Sequence, residues 1–170
     1  KRNDQLKNAV SYLHEEGIVH RDLHSNNILI HQHSIKLADF GLSKRIEEAT
    51  KKYSEVFGVL PYVDPKRLYR QRKNEIASQQ YTLNEKSDVY SVGVLLWEIS
   101  SGRPPFYVKG EEYDVSLAID ILQGLRESVI PECWDGEPEN RPDMNKVVNA
   151  ILTKTNILDN EQINEESNIQ

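Results

Sequence analysis

Cysteine and methionine are nearly absent from this sequence, one of each, Cys133 and Met144, in 170 residues. A lone cysteine has no partner within the chain, so no internal disulfide staples the fold, and the usage suits a reducing compartment. Basic excess is missing too. The 21 Lys and Arg are outnumbered by 27 Asp and Glu, a formal net charge of −6, which argues against a general binder of nucleic acid or of anionic membrane. No apolar run approaches the roughly 18 residues that a membrane span requires, and no charged-then-apolar leader opens the chain. A cytoplasmic location is expected on those grounds. The first residue is Lys1 rather than methionine, so the expected source is a longer chain. What is present is ordinary. Hydrophobic content of 38% and charged content of 28% suit a soluble globular protein. The length allows one domain with a core of its own.

Hydrophobic spacing sets out the elements. Leu6, Ala9, Val10 and Leu13 recur at helical intervals and predict a helix over 4–16, with Gly17 placed to stop it. GIVHRDL, 17–23, reads as a buried strand entering a polar loop. NILIHQHSIKLADF predicts two short strands, Ile28 to Ile30 and Ile35 to Ala38, turning at Gln32 to Ser34. Residues 42–60 are polar and irregular, the pattern of a mobile loop, and Pro61 and Pro65 follow as punctuation. SDVYSVGVLLWEISSG, 87–102, is apolar nearly all round and predicts a buried central helix. Ser87 or Asp88 is placed to cap it and Gly102 to end it, and Val89, Val92, Leu96 and Ile99 share a face. A further helix is expected from Asp114 to Leu125 and a last one from Pro142 to Leu152. The segment 154–170 is rich in Asn, Glu and Gln and is expected to be disordered.

The chemistry concentrates in HRDLHSNNILIHQHSIKLADFG, residues 20–41. Asp22, on a polar loop, can accept a hydroxyl proton or orient the hydroxyl. Asn27 and Asp39 can each offer oxygen to one hard cation. Mg²⁺ takes only one or two protein carboxylates beside phosphate oxygens and water. A hairpin between them brings Asp39 back beside Asn27, and Gly41 frees the backbone to carry the aspartate in or out. A base-like carboxylate beside a metal clamp is what phosphoryl transfer needs. An isolated Asp-x4-Asn would be read instead as a hairpin with solvated ends. Here His20, Arg21, Asp22, Leu23 and Asn27 match H-R-D-L-x-x-x-N, and DFG follows at 39–41.

From about Gln5 to Leu152 the chain resembles the C-terminal lobe of eukaryotic protein kinases, of tyrosine-kinase-like type. DVYSVGVLLWEISSGRPPF resembles the family's central helix, and CWDGEPENRP resembles the approach to its final helix. The resemblance implies a mainly α fold in which a short β-hairpin carries the catalytic and Mg²⁺ loops, with the N-terminal lobe absent from the sequence. It divides the chain into a kinase-domain fragment, 1–153, and a polar tail, 154–170. It implies transfer of the ATP γ-phosphoryl group to Ser or Thr hydroxyls of a protein substrate, with Tyr the lesser expectation. ATP and Mg²⁺ are the implied cofactors, the role is in signalling, and the N-lobe of the parent chain is the expected partner. By resemblance Asp22 orients or accepts the substrate hydroxyl proton, and Asn27 and Asp39 bind Mg²⁺. Leu29 floors the adenine pocket, Asp88 braces the catalytic loop, and His20 and Phe40 are packing residues. Arg21 beside Asp22 implies regulation by pairing with a phosphate on the activation loop, where Thr50, Tyr53 and Ser54 are candidates.

Several positions depart from the family pattern. The sequence holds no glycine-rich loop, no strand lysine and no partner glutamate, so this stretch alone is expected to catalyse poorly and to expose an apolar inter-lobe face. His24 stands where serine/threonine kinases usually carry lysine, and its plainer reading is a surface histidine. Val59 stands where they usually carry threonine. In YVDPK, Lys66 replaces the glutamate that in the family pairs with the arginine matching Arg141. Either Lys66 turns to solvent and Arg141 finds another acid, or the lobe is weakened. Between Gly124 and Trp134 the family fits another helix, whose loss is expected to uncover one side of the central helix. KRLYRQRK, 66–73, reads as a solvated loop, and Trp97 and Trp134 as core. Two other readings stand beside the first. One is a catalytically inactive pseudokinase or truncated scaffold that binds protein partners. The other is a small-molecule kinase of aminoglycoside or choline type, which DLHSNNIL resembles but which Arg21, DFG and ENRP do not fit.

Overall fold

The computed structural model describes residues 2–45, 59–68, 84–107, 113–127, 131–144 and 146–147. The candidate phosphosites Thr50, Tyr53 and Ser54, the tail 154–170, most of KRLYRQRK and most of the last expected helix lie outside the described residues.

Helix α1, Arg2–Glu15, buries Leu6 and Val10. It stops where Gly17 takes a left-handed φ of 68°. Strand β1 is only Ile18–Val19, shorter than GIVHRDL suggested, because Arg21 two residues on sits at a φ of 72°, outside the extended region. Its partner is a strand that the sequence pattern assigned to loop. Lys44–Arg45, β4, pairs antiparallel with it through Ile18↔Arg45 and Val19↔Lys44. Between them lies the expected hairpin, β2 Ile28–His31 and β3 Ser34–Leu37, paired from Ile28↔Leu37 to His31↔Ser34. The turn is tighter than Gln32 to Ser34. Gln32 and His33 alone make it, at φ values of 48° and 64°, the two positive dihedrals that match strand twist in a two-residue hairpin.

The central helix α2, Glu85–Ser101, is buried from Ser87 through Trp97. Its cap is Asn84, whose side chain accepts from the Lys86 backbone N–H, and not Ser87 or Asp88, which fall inside the first turn. Gly102, at a φ of 67°, ends it as expected. Val89, Val92 and Leu96 are core, whereas Ile99 is 48% exposed, on a last turn that outruns the layers packed on the helix. Helix α3, Val115–Leu122, is capped by Asp114. It ends short of Leu125 because Gly124 turns the chain at a φ of 103°. Trp97 and Trp134 are both core.

The expected bare side of α2 is covered. Among the described residues, 125–127 and 131–134 hold no α-helix, yet Trp134 and Cys133 lie so close that a Cβ on Gly93 would fall 2.5 Å from the indole. Arg126 ties this strap down, donating from Nε to the Trp134 carbonyl at 2.7 Å and from a terminal nitrogen to the Ile121 carbonyl at 2.7 Å. The Lys66 conflict is resolved by its first alternative. Arg141 forms a buried two-point pair with Asp64, at 2.7 and 3.0 Å, and Lys66 turns out to Glu137. Among the described residues no helix is long and apolar enough to cross a membrane.

Candidate active site

The first turn of α2 supplies the anchor. Asp88 is fully buried, and its two carboxylate oxygens accept the backbone N–H groups of His20 and Arg21, each at 2.8 Å. His14 Nε2 from α1 lies 3.0 Å from the same carboxylate. Charge-assisted bonds of this kind are roughly twice as strong as neutral ones. They hold Arg21 in the left-handed region, a conformation that costs of order 1–3 kcal/mol and persists only where surroundings enforce it. The Arg21 guanidinium lies buried beside the loop. Burial pulls its pKa below the ordinary value, and Asp88 opposes that shift.

Asp22 follows directly. Its Oδ1 is buried and has no hydrogen-bond partner among the described residues. Asp22 also lines a cavity, with Arg21, Val59, Tyr62 and Arg67. Its Oδ2 is 3.4 Å from Asn27 Nδ2 and 3.7 Å from His24 Nε2. Asn27 ends a 3₁₀ turn, Ser25–Asn27, and its Nδ2 also donates to the Asp22 carbonyl at 2.9 Å. With the nitrogen so engaged, its carbonyl oxygen is the end left for a cation.

The hairpin register places Asp39. The Asn27 carbonyl accepts the Ala38 N–H at 2.9 Å, one rung beyond Ile28↔Leu37, so Asp39 leaves the hairpin beside Asn27. Asp39 is exposed, at a φ of 58°, and its Oδ1 accepts the Gly41 N–H at 3.1 Å. The left-handed residue here is therefore Asp39 itself and not Gly41. Gly41 matters for room instead, since a Cβ there would sit 3.1 Å from that Oδ1. Among the described residues no three His, Cys, Asp or Glu side chains gather as a metal cage. One amide oxygen and one carboxylate suit a cation that draws its other ligands from phosphate and water, so the donor set fits Mg²⁺.

His20 packs its ring against Phe40, with centroids 4.9 Å apart. Its Nε2 lies 3.1 Å from the Ala38 carbonyl, which makes that nitrogen the protonated one. Phe40 is 48% exposed and Leu29 51%. Leu29 does not line the cavity beside Asp22. His24 is not the surface histidine that the loop suggested, since its side chain is only 12% exposed and touches both Asp22 and Asn27.

Sequence reasoning missed Tyr62. Its hydroxyl donates to Glu98 Oε2 at 2.6 Å and lies 3.4 Å from Ser25 Oγ, joining the 3₁₀ turn to the end of α2. Burial and then the Glu98 bond push its pKa well above the tyrosine value. The proline before it was the available signal for an ordered segment. Asp64 was missed as the partner of Arg141, and nothing in its neighbourhood signals a residue far along the chain.

The protein kinase domain family model matches residues 2–161. The dual specificity protein kinase zakA of Dictyostelium discoideum is 30% identical over 162 residues, an overlap of 81% of this chain and 19% of that protein. The serine/threonine/tyrosine-protein kinase HT1 of Arabidopsis thaliana is 30% identical over 159 residues, with 88% and 38% covered. A leaf rust 10 disease-resistance locus receptor-like protein kinase-like protein of Arabidopsis thaliana is 34% identical over 148 residues, with 82% and 21% covered. The chain thus spans less than two fifths of the length of each of these relatives.

Proposed function

The chain belongs to the protein kinase domain family, and from that premise we propose that it is the C-terminal lobe of an ATP-dependent protein kinase acting on Ser and Thr hydroxyls. One observation carries the reading. Asp22 lines a cavity, its Oδ1 has no hydrogen-bond partner among the described residues, and its Oδ2 lies 3.4 Å from Asn27 Nδ2. The Asp22 carboxylate accepts the hydrogen bond of the substrate hydroxyl and takes its proton as the oxygen attacks. Asn27 and Asp39 hold Mg²⁺, which when bound supplies positive charge against the phosphate oxygens. Leu29, exposed on β2, floors the adenine site.

The other wall of that site is the N-lobe of the parent chain, because this sequence holds no glycine-rich loop and no phosphate-binding lysine. Exposed Leu29, Ile30 and Phe40 fit such a neighbour. In the same reading 1–153 is the kinase-domain fragment, 154–170 is a polar tail, and the location is cytoplasmic. Arg21 pairs with a phosphate carried on the activation loop. The relatives include serine/threonine and dual-specificity kinases, which supports Ser and Thr acceptors.

The test is phosphotransfer by the full-length parent chain with Asp22→Asn as the variant. The expected loss is at least about 100-fold, the low end of what a positioned base contributes. Undiminished transfer by Asp22→Asn overturns the reading. Phosphoamino-acid analysis of the product decides the acceptor, and phosphotyrosine alone overturns the Ser/Thr assignment.

A further inference from the structure

His24 Nε2 stands 3.1 Å from Asn27 Nδ2 and 3.7 Å from Asp22 Oδ2. Which end of the Asn27 amide is the nitrogen follows from a contact other than the histidine, because Nδ2 donates to the Asp22 carbonyl at 2.9 Å. An amide nitrogen is a donor only. The 3.1 Å contact is therefore a hydrogen bond only if His24 Nε2 presents a lone pair, which puts the ring proton on Nδ1. That Nδ1 is buried and has no partner among the described residues. The imidazole is thus held through Nε2, and its side chain is largely enclosed. The His24 backbone adds a second tie, since its carbonyl accepts the Asn27 N–H at 2.9 Å.

We propose that His24 is a positioning residue that works as a hydrogen-bond acceptor through Nε2, helping to fix the Asn27 amide so that its carbonyl oxygen is presented to the cation and its nitrogen stays bridged to Asp22. The inference rests on the kinase reading for its functional consequence. Its geometric content, an acceptor at position 24, does not. Glutamine brings an oxygen that can replace Nε2. Residues that orient a metal ligand through its far side typically cost about 10- to 100-fold in metal affinity or activity when removed.

Two measurements on the full-length chain test this. The first is the tautomer of His24 by ¹⁵N NMR of histidine-labelled protein without nucleotide or metal, with His24→Gln used to assign the signal. The Nδ1–H form is expected, and the Nε2–H form overturns the proposal whatever the activity. The second compares His24→Ala and His24→Gln for kcat and for the apparent affinity of Mg²⁺. His24→Ala is expected to weaken Mg²⁺ about 10- to 100-fold, and His24→Gln to restore most of that loss. Unchanged Mg²⁺ affinity in His24→Ala overturns the positioning role. A wild-type chain with no phosphotransfer would count against the kinase reading, and the tautomer would still decide the acceptor at 24.

Discussion

Arg141 is held by Asp64 across 77 positions, with both side chains buried. Removing one partner leaves an uncompensated charge inside the protein, which costs about 3–5 kcal/mol. Asp64→Ala is therefore expected to lower urea stability by that order. The double variant with Arg141→Met is expected to recover much of it, because no charge is then stranded. Asp88 sets a second expectation. Asparagine in its place offers one oxygen where two backbone N–H groups are now bound, and hydrogen bonds to a charged group are worth about 1.5–3 kcal/mol each. Asp88→Asn should speed hydrogen exchange at His20 and Arg21 and depress kcat, as the loop relaxes from the left-handed Arg21. At this scale the sequence was half legible. Asp22, Asn27 and Asp39 stand at a readable spacing, and the clash of Lys66 with Arg141 was visible. The acid that resolves it was not, since Asp64 meets Arg141 only when the segment at 59–68 packs against the turn at 138–140.

Elements were legible wherever the signal is local. The spacing of Leu6 and Val10 marks α1. The apolar run 87–97 marks α2, and alternation around Gln32 and His33 marks the hairpin. Misreadings fell where a local rule had more than one candidate. Asn84, Ser87 and Asp88 are all good caps, but Asp88 binds the His20 and Arg21 backbone and Asn84 takes the end of the helix. The pairing of β4 with β1 has only two rungs and too little pattern to see in advance. The packing of α2 on the 131–134 turn makes a sharp prediction. Gly93→Ala would set a Cβ 2.5 Å from the Trp134 ring and 2.7 Å from Cys133 Cβ. Overpacking of this kind costs about 1–3 kcal/mol, so the variant is expected to unfold at lower temperature.

Across the whole molecule, Tyr90 lies at the join of the strap, α2 and the Arg141 pair. The guanidinium groups of Arg126 and Arg141 stand 5.8 and 5.2 Å from its ring. Its hydroxyl is buried without a partner among the described residues. Burial pushes its pKa up to about 12. Arg126 pulls it down, Asp64 pushes it up, and Arg141 pulls it down. The unfolded chain ionises this tyrosine near pH 10, so the unfolded state releases a proton that the folded state keeps. The stability this group contributes is complete below about pH 10 and is lost as pH rises toward 12. Tyr90→Phe is expected to flatten that alkaline loss in unfolding measurements and to cost little at pH 7, since no hydroxyl bond is given up. The sequence by itself determined the helices, the hairpin and the spacing of Asp22, Asn27 and Asp39, because backbone periodicity and turn chemistry act over a few residues. The family resemblance already implied that Asp88 braces the loop at 20–22, and the structure shows which backbone groups it holds, those of His20 and Arg21. Only the tertiary structure decided that Asp64 neutralises Arg141 and that His24 touches Asn27. Buried polar groups need partners, and which partner reaches them is set by how the helices pack.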